Sequence, residues 1–111
     1  MSIYVPRKGD FIALTFDPQA GHEQKGRRPA LVISQTAFNE RTGLALVCPV
    51  TNTDRGNPFH VRLPQPCILT GVVMVDQVKS VDYRARKTKL IEKAPATVLN
   101  EALALLDAIV F

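Results

Sequence analysis

Tryptophan is absent from this chain, and its 111 residues include only two cysteines and two histidines. Cys48 and Cys67 give neither a disulfide framework nor a metal-ligand spacing. Cys48 lies in an apolar run and Cys67 follows a proline, so both read as structural residues. His22 and His60 stand in no ligand pattern with cysteine or carboxylates, which argues against metal catalysis. Long hydrophobic runs are missing too. The longest, Leu44 to Val50, falls far short of the ~20 apolar residues of a membrane-spanning helix, so no membrane role is expected. The first ten residues carry Arg7 and Lys8 but no apolar run fit for a signal peptide, so a cytoplasmic protein is expected. There is no glycine-rich phosphate loop ahead of a helix, and no strained Gly-Ser-Gly nucleophile turn. No cofactor is expected.

What is present is a basic body. Formal net charge is +4. All 14 Lys and Arg lie in residues 1–93, whereas residues 94–111 carry only Glu101 and Asp107. A basic body suits either a polyanion-facing surface or ordinary solubility. The 46% hydrophobic content is enough for one globular core, and the length fits a single domain over 1–111.

Short β-rich runs recur along the body. Phe11–Phe16, Ala30–Ser34 and Leu44–Val50 read as strands, the third interrupted near its end by Pro49. Phe59–Leu63 alternates, with Phe59, Val61 and Leu63 on one side. Val72–Val75 is a short buried strand that could continue to Val78, and Lys87–Glu92 is a last, charged strand. Thr36–Arg41 is a helical turn closed by Gly43. Gly, Pro or Asn mark most gaps, a pattern of small barrels and sandwiches. After Pro95, the apolar residues Val98, Leu99, Ala102, Leu103, Leu106, Ile109 and Val110 recur at helical spacing. The expected fold is therefore mainly β with one C-terminal helix. The helix has broad apolar coverage, so part of it is available to a partner chain.

Three polar loops separate these elements: Asp17 to Arg27, Thr51 to Pro58, and Lys79 to Lys87, the last basic around Tyr83. Within them lies a set suited to phosphate. Arg27 and Arg28 close the first loop, and a guanidinium offers phosphate a fork of donors. Pro29 restricts Arg28 to extended backbone. Glu23 in the same loop can hold a proton or orient an arginine. Thr51 can donate a hydroxyl hydrogen bond to a phosphate oxygen. Taken singly, each also reads as a solvated charge or an ordinary turn residue.

The order of residues adds to this. Gly21-His22-Glu23-Gln24, Gly26-Arg27-Arg28-Pro29-Ala30-Leu31-Val32-Ile33-Ser34, Cys48-Pro49-Val50-Thr51 and Asp76-Gln77-Val78-Lys79-Ser80 resemble the MazF/PemK-like toxin ribonucleases. The match covers roughly residues 4 to 93 in the same order, followed by the terminal helix. The resemblance implies a small SH3-like β-barrel, assembled as a homodimer. It implies a sequence-specific, metal-independent endoribonuclease that cuts single-stranded RNA, chiefly mRNA, and arrests growth. It also implies a small MazE-like antitoxin whose acidic and apolar tail blocks the RNA groove. By position, Arg28 and Thr51 carry over as the catalytic pair and Glu23 as an acid/base residue. Gln24, Gln77 and Lys79 carry over as RNA contacts. Lys25, Arg27, Asn52 and Arg86 are further candidate RNA contacts in the same three loops. Asn52 stands where some members have a second hydroxyl residue.

The chemistry implied needs no activated water. The substrate's own 2′-hydroxyl attacks the adjacent phosphorus, and Arg28 and Thr51 stabilise the charge that builds on the phosphoryl oxygens. Arginine is a poor base, so Arg28 reads as a stabiliser and proton donor and Glu23 as the candidate general base. Two other readings compete. A non-catalytic RNA-binding barrel would use the same basic loops with Phe and Tyr stacking on bases. A gyrase-poisoning toxin of the same fold would resemble relatives that act through a C-terminus bearing Trp and Gly, which this chain lacks.

Overall fold

The computed structural model describes residues 3–15 and 26–111. Seven antiparallel strands are formed: β1 (Asp10–Thr15), β2 (Arg27–Val32), β3 (Leu44–Thr51), β4 (His60–Arg62), β5 (Val72–Met74), β6 (Lys79–Asp82) and β7 (Lys89–Lys93). Two helices accompany them, α1 (Thr36–Thr42) and α2 (Ala96–Val110), with a single 3-10 turn at Val75–Gln77. The strand order is β4-β5-β3-β2-β1-β7, and β6 lies beside the first half of β3. Among the described residues the sheet does not close into a ring of ladders.

β3 organises the molecule. Along one edge it pairs with β2 over Val47–Pro49. Along the other it pairs first with β6 over Leu44–Val47, then with β5 at Val50 and Thr51. Pro49 has no N–H to give, and sits where β3 leaves one partner and joins the next. The strand therefore runs through the proline expected to interrupt it, to Thr51.

Both faces of β1, β2 and β3 are covered. Phe11, Leu31, Ile33, Cys48 and Val50 join Val61, Leu63 and Val73 on one face, under Val98 and Ala102 of α2. Ile12, Leu14, Ala30, Val32, Ala45 and Val47 join Val81 and Tyr83 on the other. Two buried faces explain why these strands read as continuous apolar runs and not as clean alternation. Residues Gly43 and Pro95 delimit the helices. Gly43 adopts φ 75° after α1, a left-handed conformation that costs glycine little. Pro95 lies one position before the first helical residue, and its carbonyl accepts from the Val98 and Leu99 N–H groups.

Three expectations change. Val72–Val78 is not one strand, because the chain turns at Val75–Gln77 to bury Val75. Lys79–Asp82, assigned to a loop, is strand β6. Its local sequence has little β character, and pairing with Leu44–Val47 makes it a strand. Tyr83 is not an exposed base-stacking ring. It is 1% exposed, and its hydroxyl donates to the Asn39 carbonyl at 2.7 Å.

Asn39 is the centre of a fully buried polar network. Its Oδ1 accepts from the Ser34 hydroxyl at 2.5 Å, and its Nδ2 donates to the Pro6 carbonyl at 2.8 Å. The Ser34 hydroxyl oxygen also accepts from the Leu46 N–H. Removing the amide strands buried partners on two segments at once, at Pro6 and Ser34. Asn39→Ala is expected to lower the unfolding free energy by about 2–3 kcal/mol, measured as a shift of the urea midpoint at unchanged slope.

Candidate active site

The register of β2 on β3 pairs Ala30 with Pro49 and Leu31 with Cys48. The ladder ends at Ala30 and Pro49, and Arg28 and Thr51, each two residues beyond it, line one cavity. On its other side Arg28 pairs with Leu14 of β1. Directly paired residues share a sheet face, so Arg28 lies on the face of Leu14, Ala30 and Val32. Just beyond the buried part of that face, Arg28 is exposed, with no side-chain hydrogen bond or ion pair among the described residues. Thr51 is half-buried. Its hydroxyl oxygen accepts from the Thr53 backbone N–H at 3.2 Å, which leaves its hydrogen to donate outward.

Arg28 and Thr51 line one cavity of about 410 Å³, with Pro29, Asn52, Ile68 and Thr70 among its walls. A second cavity of about 340 Å³ lies on the far side of Thr51 and Thr53. It is bounded by Arg55, His60, Met74, Asp76 and Gln77. The two share Thr51 and Thr53 as a common wall, so Thr51 stands at the middle of a longer groove. Among the described residues the Arg28 guanidinium has no partner, and a guanidinium beside a hydroxyl donor suits a tetrahedral anion. Asn52 lines the first cavity and Gln77 the second.

The candidates identified from sequence divide into groups. Arg28, Thr51 and Asn52 share the first cavity, and Gln77 joins Thr51 in the second. Lys79 is exposed and pairs with Val47, which puts it on the sheet face of Arg28 and Thr51. Arg27 and Arg86 are not brought to this groove. Arg27 pairs with Thr15, one residue out of phase with Arg28, and so points to the opposite face. Its guanidinium donates to the carbonyls of Ala13 and Arg86. Arg86 donates to the Thr15 carbonyl at 2.9 Å, and the Thr15 N–H returns a bond to the Arg86 carbonyl. Together these two arginines clamp the end of β1. Glu23, Gln24 and Lys25 lie outside the described residues.

Other groove residues escaped the sequence reading. His60 Nε2 lies 2.9 Å from Asp76 Oδ1, and its Nδ1 is buried without a partner among the described residues. The two are 16 positions apart on β4 and the 3-10 turn, with no local signal to join them. Asp54, on the second loop, is held below the ordinary carboxylate range by the Gly56 backbone N–H, with Arg62 adding to the effect. Cys48, read as structural, is fully buried in the core, and burial pushes its thiol up to about 12. It is inert at neutral pH.

Fold and groove together define a small β-domain with a groove that carries an arginine and a hydroxyl at the ends of two strands. Residues 7–110 match the family model described as PemK-like, MazF-like toxin of type II toxin-antitoxin system. Two Escherichia coli proteins are similar over nearly the whole chain. Endoribonuclease toxin MazF of strain K12 is 44% identical over 109 residues, covering 97% of this chain and 93% of its own. Endoribonuclease PemK is 42% identical over 106 residues, covering 92% and 80%. Among solved structures, MazF in a MazE-MazF crystal structure from Deinococcus radiodurans superposes with a TM-score of 0.89 at 48% identity, over 96% of both chains. The chain belongs to the PemK-like, MazF-like toxin family of type II toxin–antitoxin systems.

The contrast between neighbouring arginines is open to test. Arg27→Ala removes the clamp on β1 and is expected to cost about 0.5–1.5 kcal/mol of stability. Arg28→Ala breaks no side-chain hydrogen bond or ion pair among the described residues and should stay within about 0.5 kcal/mol of wild type. Urea denaturation of both variants, followed by circular dichroism, reads the difference.

Proposed function

We propose that this chain is the toxin of a type II toxin–antitoxin system. In this reading it is an endoribonuclease that cuts single-stranded RNA, chiefly mRNA, at particular sequences and so stops translation and growth. Its relatives are named endoribonucleases, and similar solved structures hold MazF with MazE. The observation that carries the reading to this chain is the juxtaposition of Arg28 and Thr51 across β2 and β3.

The reaction follows from the groups present. The 2′-oxygen of the nucleotide before the cut attacks its own 3′ phosphorus. The phosphorus–O5′ bond breaks, leaving a 2′,3′-cyclic phosphate on one fragment and a 5′-hydroxyl on the other. Negative charge concentrates on the non-bridging oxygens between the two steps. Arg28 meets it with a forked pair of N–H donors, and Thr51 meets it with the O–H left over after its bond to the Thr53 N–H. Glu23 takes the 2′-proton, and the departing 5′-oxygen collects a proton from Arg28 or solvent. No step calls on a metal ion. Gln77, Asn52 and Lys79, with Gln24 and Lys25, hold the strand.

Two partners belong to the same reading. One is a short antitoxin of the MazE kind, with an acidic and apolar tail suited to a basic groove. The other is a second copy of the chain. Ile109 and Val110 at the end of α2 and Phe111 after it are exposed, as are Phe38 of α1 and Leu44 at the start of β3. Such residues are costly to leave in water. The protein works in the cytoplasm, where its RNA substrate lies.

Single-turnover cleavage tests the chemistry. Cutting should persist in excess EDTA and stop when one 2′-deoxynucleotide sits immediately 5′ of the cut. Arg28→Ala should lower the rate about a hundredfold or more, close to 3 kcal/mol, with little change in RNA affinity. Arg28→Lys should also be slow, because a point charge lacks the fork. A folded Arg28→Ala protein that cleaves at wild-type rate overturns the assignment. Sedimentation at micromolar concentration should give twice the 12.2 kDa chain mass. A monomer with full activity removes the dimer from the reading.

A further inference from the structure

Two residues outside the catalytic pair close over the end of β3. Gly71 adopts φ +100°, which side chains rarely tolerate. Its surroundings are more restrictive still. A Cβ at this position would fall 2.0 Å from the Thr51 carbonyl oxygen and 2.8 Å from the Asn52 Cα. The chain at Gly71 therefore lies directly against the Thr51–Asn52 peptide, an approach only glycine permits. It is fixed from behind, where the Gly71 carbonyl accepts from the Leu63 N–H at 2.9 Å. From there β5 begins, with Val72 paired to Thr51. The residue before, Thr70, reaches the same peptide through side chains: its hydroxyl donates to Asn52 Oδ1 at 2.6 Å. Thr70, Asn52, Thr51 and Arg28 line one cavity.

We infer that Thr70 and Gly71 are positioning residues of the RNA groove. Gly71 seats Thr51 so that its hydroxyl stays opposite Arg28. Thr70 occupies the carbonyl end of the Asn52 amide, so that Asn52 presents its NH2 to the base beside the scissile phosphate. This rests on the ribonuclease reading given above. A carboxamide free to turn can donate or accept and tolerates either kind of base edge. One whose oxygen is taken only donates. It favours an edge bearing a carbonyl or ring-nitrogen acceptor and rejects one bearing an amino group. Thr70 thus acts on base choice through Asn52 without touching the base itself.

The experiment uses the whole protein. Cut sites on a long unstructured RNA are mapped from the new 5′-hydroxyl ends. Rate is read in single turnover, and affinity on an RNA made uncleavable by one 2′-deoxynucleotide. Thermal melting and circular dichroism report folding. Thr70→Val keeps the side-chain shape and loses only the hydroxyl. It should relax selection at one nucleotide position by up to about tenfold, the worth of one hydrogen bond. Affinity should change by less than about threefold, and Thr70→Ser should restore the wild-type profile. Gly71→Ala, where folded, should lose at least about tenfold in rate with affinity nearly unchanged. If Gly71→Ala does not fold, the Thr70 pair alone decides. A Thr70→Val protein with wild-type base selection overturns the inference, as does loss of selection that Thr70→Ser fails to restore. Failure of the underlying reading looks different: the wild-type protein cuts no RNA, or Arg28→Ala cuts as well as wild type.

Discussion

The antiparallel register of β2 on β3 is the constraint on which the rest depends. A strand alternates its side chains with period two, so a slip of one residue would send Arg28 to the face that Arg27 now occupies. Burial on both sides prevents the slip. Leu31 and Ile33 fill one cluster while Ala30 and Val32 fill the other, and neither set fits the opposite side. The core thus aims the guanidinium. Pro29 and Pro49 add to this by limiting the backbone beside each half of the pair.

The same alternation separates two adjacent arginines of identical chemistry. Arg27 faces the end of β1 and spends its donors on backbone carbonyls. Arg28 faces the groove and makes no side-chain hydrogen bond among the described residues. A charge bonded to backbone carbonyls and a charge open to the groove are one residue apart, and only the pleat distinguishes them. Arg86 belongs with the first kind, since it donates to the Thr15 carbonyl and accepts from Arg27 at its own.

Polar groups that the core cannot avoid are handled by saturation. Asn39, Ser34 and Tyr83 complete one another's bonds while tying α1 to the N-terminal segment and to the turn after β6. Near the chain start, the Tyr4 hydroxyl donates to Asp10 at 2.5 Å. Burial and that carboxylate push the phenol well above its usual range, so the bond persists across ordinary pH. With the N-terminal segment, α1 and β6 held in this way, β3 has a fixed frame against which its far end, Thr51, can be placed.

Strand content and the C-terminal helix were legible in the residue order, and the motif segments named Arg28 and Thr51 as candidates. They rest on local information: runs of β-formers, helical spacing after Pro95, and motif segments quoted in sequence. The fate of Arg27 and Arg86 was not legible, because a basic loop residue looks the same whether it meets a phosphate or a backbone carbonyl. Lys79–Asp82 became a strand only through contact with Leu44–Val47, which lie more than thirty positions away. Tyr83 went to the core for the same reason. The residues around Thr51, namely Thr70 with Gly71 and His60 with Asp76, come from segments that meet only when β3, β4 and β5 pair. Residue order names the groups able to do the chemistry and roughly where along the chain they lie. Tertiary structure alone decided which of them share a groove, since sheet register and close backbone approach are properties of paired strands and not of any one segment.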